Sequence, residues 1–193
     1  MKRFIIVGHK ASTSGDFSLN DMPGGAGRMD VLCRCVNSSL FLSHDLRRDV
    51  ECYLVLQGEP DPPKTILFSG ERVRYLNPDE RSAGSLIKKA LAATCRDEFS
   101  ESTKGVYVRR GGLDRLLSEF QVALLDENGE DIRTMAELPD AYLLSDHMNF
   151  AEEEEALIQD VQKVSVGPKI LHADHTITIM LNEMDRRENP SEL

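Results

Sequence analysis

Val161-Gln162-Lys163-Val164-Ser165-Val166-Gly167-Pro168, followed two residues later by Leu171-His172-Ala173-Asp174-His175-Thr176-Ile177, carries the reading of the fold. Val161 to Val166 is rich in β-branched residues and stops at Gly167-Pro168, as a strand stops at a turn. From Thr176 to Arg187, Ile177, Met180, Leu181 and Met184 recur at three- and four-residue steps, the stripe of an amphipathic helix. A strand that passes through a short loop into a helix is the repeating unit of an α/β protein.

The same alternation runs outward to the N-terminus. Phe4 to Val7 is an apolar run ending at Gly8, which suits a buried first strand. Residues 12–27, with Pro23-Gly24-Gly25, form a long loop of the kind that often carries function. Met29, Leu32, Val36, Leu40 and Phe41 mark a helix from Arg28 to Leu42. Val50 to Leu56 is a second strand, and Thr65 to Phe68 and Val73 to Leu76 are short strands around Ser69-Gly70. Asp79 caps a helix running to about Thr94. Gly105 to Val108, Val122 to Leu125 and Ala141 to Leu144 are strands, Leu113 to Phe120 and Glu152 to Asp160 helices, and Asn128-Gly129 a turn. The expectation is one domain over residues 1–193, an α/β fold with a mostly parallel sheet and a loose tail after Glu188.

Composition narrows the class. Hydrophobic residues make up 40% of the 193 and charged residues 29%, the balance of an ordinary globular chain. No run approaches eighteen apolar residues, and the start resembles no signal peptide, so a cytoplasmic protein without a membrane span is expected. Cys33, Cys35, Cys52 and Cys95 match no zinc spacing and read as reduced thiols, and no metal is expected. The net charge of −10 is unevenly spread. Residues 1–117 hold 18 Lys and Arg against 15 Asp and Glu, a net of +3, and residues 118–193 hold 5 against 18, a net of −13. The N-terminal part can present a basic face to phosphates and the C-terminal part cannot, although an acidic half that is simply a solvated surface accounts for the same split equally well.

No G-x-G-x-x-G, no P-loop and no G-x-S-x-G elbow is present, which excludes the common dinucleotide, phosphoryl-transfer and hydrolase templates. Three strand-end segments remain, at Leu144-Ser145-Asp146-His147, at Val166-Gly167-Pro168 and at Leu171 to Ile177. In open α/β sheets ligands bind beyond the carboxyl ends of strands, so these loops are candidates for one pocket. A plain turn at Gly167 and a helix cap at Asp174 or Thr176 explain the same residues equally. Arg28, Asp30 and Arg34 lie near one helix start and Arg81 near another, and Arg109-Arg110 follows a strand. Arginine forks match phosphate oxygens, which makes Arg81, Arg109 and Arg110 candidate contacts to a phosphate-rich partner. Local ion pairs and caps are the competing reading for each. His9 reads as a structural histidine.

The phrases Pro23-Gly24-Gly25-Ala26-Gly27-Arg28-Met29-Asp30-Val31-Leu32-Cys33-Arg34, Tyr75-Leu76-Asn77-Pro78-Asp79-Glu80-Arg81-Ser82, Leu144-Ser145-Asp146-His147 and Leu171-His172-Ala173-Asp174-His175 resemble the archaeal tRNA pseudouridine-54 N1-methyltransferases of the SPOUT superfamily. The similarity runs from Phe4 to about Asp185. It implies an α/β fold with a C-terminal trefoil knot, a homodimer, tRNA as partner, which makes Arg81, Arg109 and Arg110 the candidate RNA contacts, and S-adenosylmethionine as methyl donor. Carried onto this chain, the cofactor site is Leu144, Ser145, Gly167, Leu171, Thr176 and Ile177. Some relatives carry Cys at the position of Thr176, so a hydroxyl stands here for a thiol. For the chemistry, Asp30 is the expected acceptor of the N1 proton, with Arg28 or Arg34 stabilising the anionic base. The alternatives are N1-methylation of pseudouridine in ribosomal RNA, a non-catalytic knotted RNA-binding dimer, and a small-molecule methyltransferase, against which the arginine distribution stands.

Overall fold

A computed structural model describes residues 1–189. The loose tail expected after Glu188 falls, from residue 190 onward, outside the described residues. One sheet has the order β4-β5-β3-β2-β1-β7-β6-β8, built from β1 (Lys2–Gly8), β2 (Val50–Leu56), β3 (Lys64–Ser69), β4 (Ser100–Thr103), β5 (Val106–Arg110), β6 (Val122–Asp131), β7 (Ala141–Ser145) and β8 (Gln162–Ser165). The helices are α1 (Met29–Leu40), α2 (Glu80–Ala92), α3 (Leu113–Glu119), α4 (Glu152–Ile158) and α5 (Ala173–Glu188).

The parallel reading holds for β2-β1-β7-β6-β8. The wing β2-β3-β5-β4 is antiparallel. β4 lacks the apolar run that marks its neighbours and was not expected, because an edge strand pairs through its backbone alone. Val73 to Leu76 is irregular rather than a strand, since Val73 and Leu76 are buried by a turn. Asn128-Gly129 lies within β6, where the register with β8 shifts between Leu125 and Glu130.

Alternation along the central strands divides the core. Phe4, Ile6, Cys52 and Leu54 face one side, under α1, α2 and α5. Ile5, Val7, Tyr53 and Val55 face the other, under α3 and α4. Strands buried on both faces read as continuous apolar runs, which is why β1 and β2 were legible. Burial pushes the thiols of Cys33, Cys35 and Cys52 up, that of Cys52 to about 12, so they are inert packing groups. No described helix is long and apolar enough to cross a membrane.

Candidate cofactor cavity and arginine-lined mouth

A cavity of about 640 Å³ lies beyond the carboxyl ends of β7 and β8 and against the middle of β6. Leu124 and Leu125 line it from β6, Leu144 and Ser145 from β7, and the turn from Ser165 through Gly167 to Leu171 closes it toward α5. Ala173 and Thr176 contribute from the first turn of α5, where backbone N–H groups lack helical partners. The three strand-end loops therefore do converge.

Two loops are tied by their own serines. Ser165 Oγ donates to the Gly167 carbonyl at 2.8 Å and accepts the Gly167 N–H at 3.1 Å. Ser145 Oγ donates to the Met148 carbonyl. Gly167 adjoins the cavity, and a Cβ placed on it meets no atom within 4 Å. Nothing in the chain requires glycine at that spot; the space a side chain would enter is open. Thr176 Oγ1 donates to the His172 carbonyl at 3.2 Å. Ile177 departs from expectation. It is fully buried in the core with α1 and takes no part in the cavity wall, because the next residue along a helix points about 100° away.

From the N-terminal half, Arg28 and Val31 reach the cavity. Arg28 adopts φ +65, in the left-handed region, directly after Gly27 at φ +66. Gly27 has no alternative, since a Cβ there would collide with the Lys10 carbonyl. Arg28 Nε and Nη2 donate to Asp30 Oδ1 and Oδ2 at 3.0 and 3.1 Å. Arg34 Nη1 donates to Asp30 Oδ2 at 3.0 Å and to Glu80 Oε1 at 3.1 Å. The expectation for Asp30 is revised. Its carboxylate is buried behind Arg28 and absent from the cavity wall. Burial pushes its pKa up, but the hydrogen bonds from Arg28 and Arg34 outweigh that and hold it below the ordinary range. Such a carboxylate is a poor proton acceptor and a good anchor. Arg34 likewise stands outside the wall, binding α1 to α2 through Glu80.

Behind β7, His9 sits between two carboxylates. Its Nδ1 lies 2.9 Å from Asp146 Oδ1 and its Nε2 2.7 Å from Glu154 Oε2. The Asp146 hydrogen bond raises the His9 pKa, burial opposes, and Glu154 adds to the rise. For Asp146, burial pushes the carboxyl up, yet the bonds from His9 and the Met148 N–H bring it below the usual carboxylate value. Glu154 also accepts from Gln57 Nε2 and the Ala151 N–H, both at 2.7 Å. The reading of His9 as a satisfied histidine stands, but its task of holding the cavity loop was missed. The signal was its place at the end of a strand, which acquires meaning only once β1 is known to lie beside β7.

The expected RNA contacts separate. Arg81 is exposed and donates to Asn20 Oδ1 at 2.7 Å. Arg110 is exposed and paired with Asp61 at 3.2 Å. Arg109 is corrected. It is 3% exposed, forked onto both oxygens of Glu119 at 2.7 Å and stacked 4.2 Å over the Phe99 ring. Successive residues of a strand face opposite ways, so one of the pair Arg109-Arg110 had to turn inward. Among the described residues no group of His, Cys, Asp and Glu is arranged to hold a metal ion.

The cavity suits S-adenosylmethionine. Apolar walls at Leu124, Leu144 and Leu171 fit an adenosine. Asp126, Glu127, Asp146 and Glu155 outnumber Arg28 and Lys169 around it, which favours a cationic ligand. The volume falls in the range of small-molecule sites.

The fold is shared with Nep1 of Archaeoglobus fulgidus, solved bound to S-adenosylhomocysteine, at a TM-score of 0.64 over 97% of this chain and 98% of that one, with 16% identity. A family described as putative SAM-dependent RNA methyltransferases matches residues 1–189, and the chain belongs to it. A tRNA (pseudouridine(54)-N(1))-methyltransferase of Methanocorpusculum labreanum is 61% identical, across 97% of this chain and 98% of the relative. The enzymes of that name from Methanococcoides burtonii and Methanocaldococcus jannaschii are 57% and 40% identical, over 96% of both chains and over 97% and 98% respectively.

Proposed function

We propose that residues 1–193 act as a single methyltransferase domain that methylates N1 of pseudouridine 54 in the T loop of tRNA, with S-adenosylmethionine as donor. The observation that carries the reading is the cavity at the strand ends with Arg28 reaching it from the N-terminal half. The names of relatives that match nearly the whole chain support the substrate.

When bound, the donor supplies a methyl group on a sulfonium, primed for displacement at carbon. Leu144, Leu171 and the backbone around Gly167 and Thr176 hold it. Pseudouridine is joined to ribose through carbon, so its N1 carries a proton and is free to react. Arg28, fixed by Asp30, stabilises the negative charge on the base as the N1 proton passes to solvent water and the methyl group takes its place. Holding base and donor together supplies much of the rate gain. The base has to leave its loop to enter the cavity. Arg81 and Arg110 hold phosphates.

Three finer features belong to the same proposal. A C-terminal trefoil knot is supported by the path from β8 at the sheet edge back to α5 on α1. A homodimer is the second, and Ile170 and Leu171, 79% and 40% exposed, are apolar residues it would cover. A cytoplasmic site of action follows from a tRNA substrate.

The test is methyl transfer from labelled S-adenosylmethionine to two tRNA transcripts, one with pseudouridine at position 54 and one with uridine. Label at N1 in the first transcript alone is the expected result. Label in neither, with cofactor binding intact by calorimetry, would overturn the tRNA assignment and direct the search to ribosomal RNA.

A further inference from the structure

Tyr75 is 77% exposed and adopts φ +63. Arg28, which reaches the cavity, is the other described non-glycine residue with positive φ. A bulky side chain in left-handed backbone is an outlier that persists only where its surroundings over-determine it. Here they do. Val73 and Leu76 are buried on either side. The Val73 N–H donates to the Ser69 carbonyl at 2.8 Å and the Arg74 N–H to the Lys104 carbonyl at 3.1 Å. The Asn77 N–H donates to Ser82 Oγ at 2.8 Å. The turn is pinned and the ring is left outside it. Glycine would satisfy this backbone without strain, so the fold does not account for an aromatic residue there.

The surroundings suit an anion-bearing partner. Arg72, Arg74, Lys104 and Arg81 are all exposed on the segments around the turn. Of the nearby acids, Asp79 accepts the Ser82 N–H at 2.7 Å, Glu101 the Gly105 N–H at 2.9 Å, and Glu80 is taken by Arg34; Glu71 is exposed beside Arg72. The turn also connects to the cavity. Glu80 shares Arg34 with Asp30, and Asp30 anchors Arg28. Tyr75 precedes Glu80 by five residues, a reach of at most about 18 Å.

We propose that Tyr75 is a stacking platform for an unstacked nucleobase of the bound RNA, outside the cavity that takes the target base, with Arg74 and Lys104 holding adjoining phosphates. The proposal rests on the RNA reading above. Stacking on an exposed ring tolerates any base, so this subsite adds affinity and placement rather than sequence choice.

The chain contains no tryptophan, so Tyr75→Trp introduces a single indole. Its emission is expected to be quenched when the pseudouridylated transcript binds, and that of Leu157→Trp, an exposed position on α4 against the other face of the sheet, to stay unchanged. Tyr75→Ala should weaken binding of the transcript on the order of ten-fold, with Tyr75→Phe close to the unaltered chain and cofactor affinity constant in all. Tyr75→Gly should lose RNA affinity while keeping or raising the melting temperature, an opposition that a structural role does not produce. Wild-type RNA affinity in Tyr75→Ala, or indole emission indifferent to bound RNA, overturns the subsite. Failure of the unaltered chain to bind either transcript overturns the RNA reading, and the subsite with it.

Discussion

Asp146 holds His9 twice: Oδ2 accepts its backbone N–H at 3.0 Å, and Oδ1 lies 2.9 Å from its ring Nδ1. Asp146 begins the loop that forms one wall of the cavity, so the end of β1 and the cavity are joined through a single carboxylate. On the far side of the ring, Glu154 draws in α4. Both ring nitrogens can donate only when the imidazole is charged.

The clamp makes cofactor affinity depend on pH. His9 has a raised pKa, so its contribution is complete below the unfolded value of about 6.5 and is lost as pH rises through the higher folded value. Asp146 has a lowered pKa, so its contribution is complete above about 3.9 and is lost as pH falls through the folded value. Calorimetry should show affinity falling on the alkaline side in the wild type. His9→Gln should bind more weakly at pH 6 and lack that fall, with a stability loss of about 3 kcal/mol from breaking a buried charged cluster. An alkaline fall of equal steepness in His9→Gln would remove His9 as its origin.

Arg28 and Asp30 should separate in kinetics. Arg28→Ala is expected to lower kcat about 10²–10³-fold with cofactor affinity little changed. Arg28→Gly, free of left-handed strain, should be at least as stable as Arg28→Ala and equally slow. Asp30→Asn keeps the shape and loses the charge, so its kcat should fall less than that of Arg28→Ala. A larger fall in Asp30→Asn, with a pH profile that loses its acid limb, would restore Asp30 as proton acceptor.

Gly167→Val tests the cavity floor. A Cβ there meets no protein atom within 4 Å, so melting should move by no more than about 0.5 kcal/mol of stability. The side chain enters the ligand's space, and cofactor affinity should drop on the order of ten-fold or more, the cost of one displaced contact region. Ile177→Ala should do the reverse, costing about 2–5 kcal/mol of stability through a core cavity with a smaller change in affinity. Equal affinity losses in both would mean that Ile177 touches the cofactor.

Arg109 and Arg110 are adjacent and should behave as opposites. Arg109→Ala removes the fork on Glu119, which stays one-third exposed and keeps Arg115, and should destabilise by about 2 kcal/mol. Arg110→Ala should leave melting nearly unchanged, weaken RNA binding and reduce the salt slope by about one. A full salt slope in Arg110→Ala would place the phosphate contacts elsewhere.

The sequence by itself determined the pieces whose signals are local. The buried strands β1 and β2 declared themselves by apolar runs, α1, α2 and α5 by three- and four-residue spacing, and the helix cap Asp79 by its type, here accepting the Ser82 N–H at 2.7 Å. Strand ends facing one way made Leu144, Ser145, Gly167, Leu171 and Thr176 a coherent set, and all five line the cavity. Only the tertiary structure decided which strands pair. The meeting of His9 with Asp146 and the inward turn of Arg109 depend on partners 137 and 10 residues away, and the antiparallel wing on the pairing of β3 with β5 across a long intervening segment. The physical reason is that side-chain periodicity is a property of the local backbone, whereas charge type does not encode burial: an arginine forked inside on a glutamate and one free to meet a phosphate are spelled alike until the sheet places them.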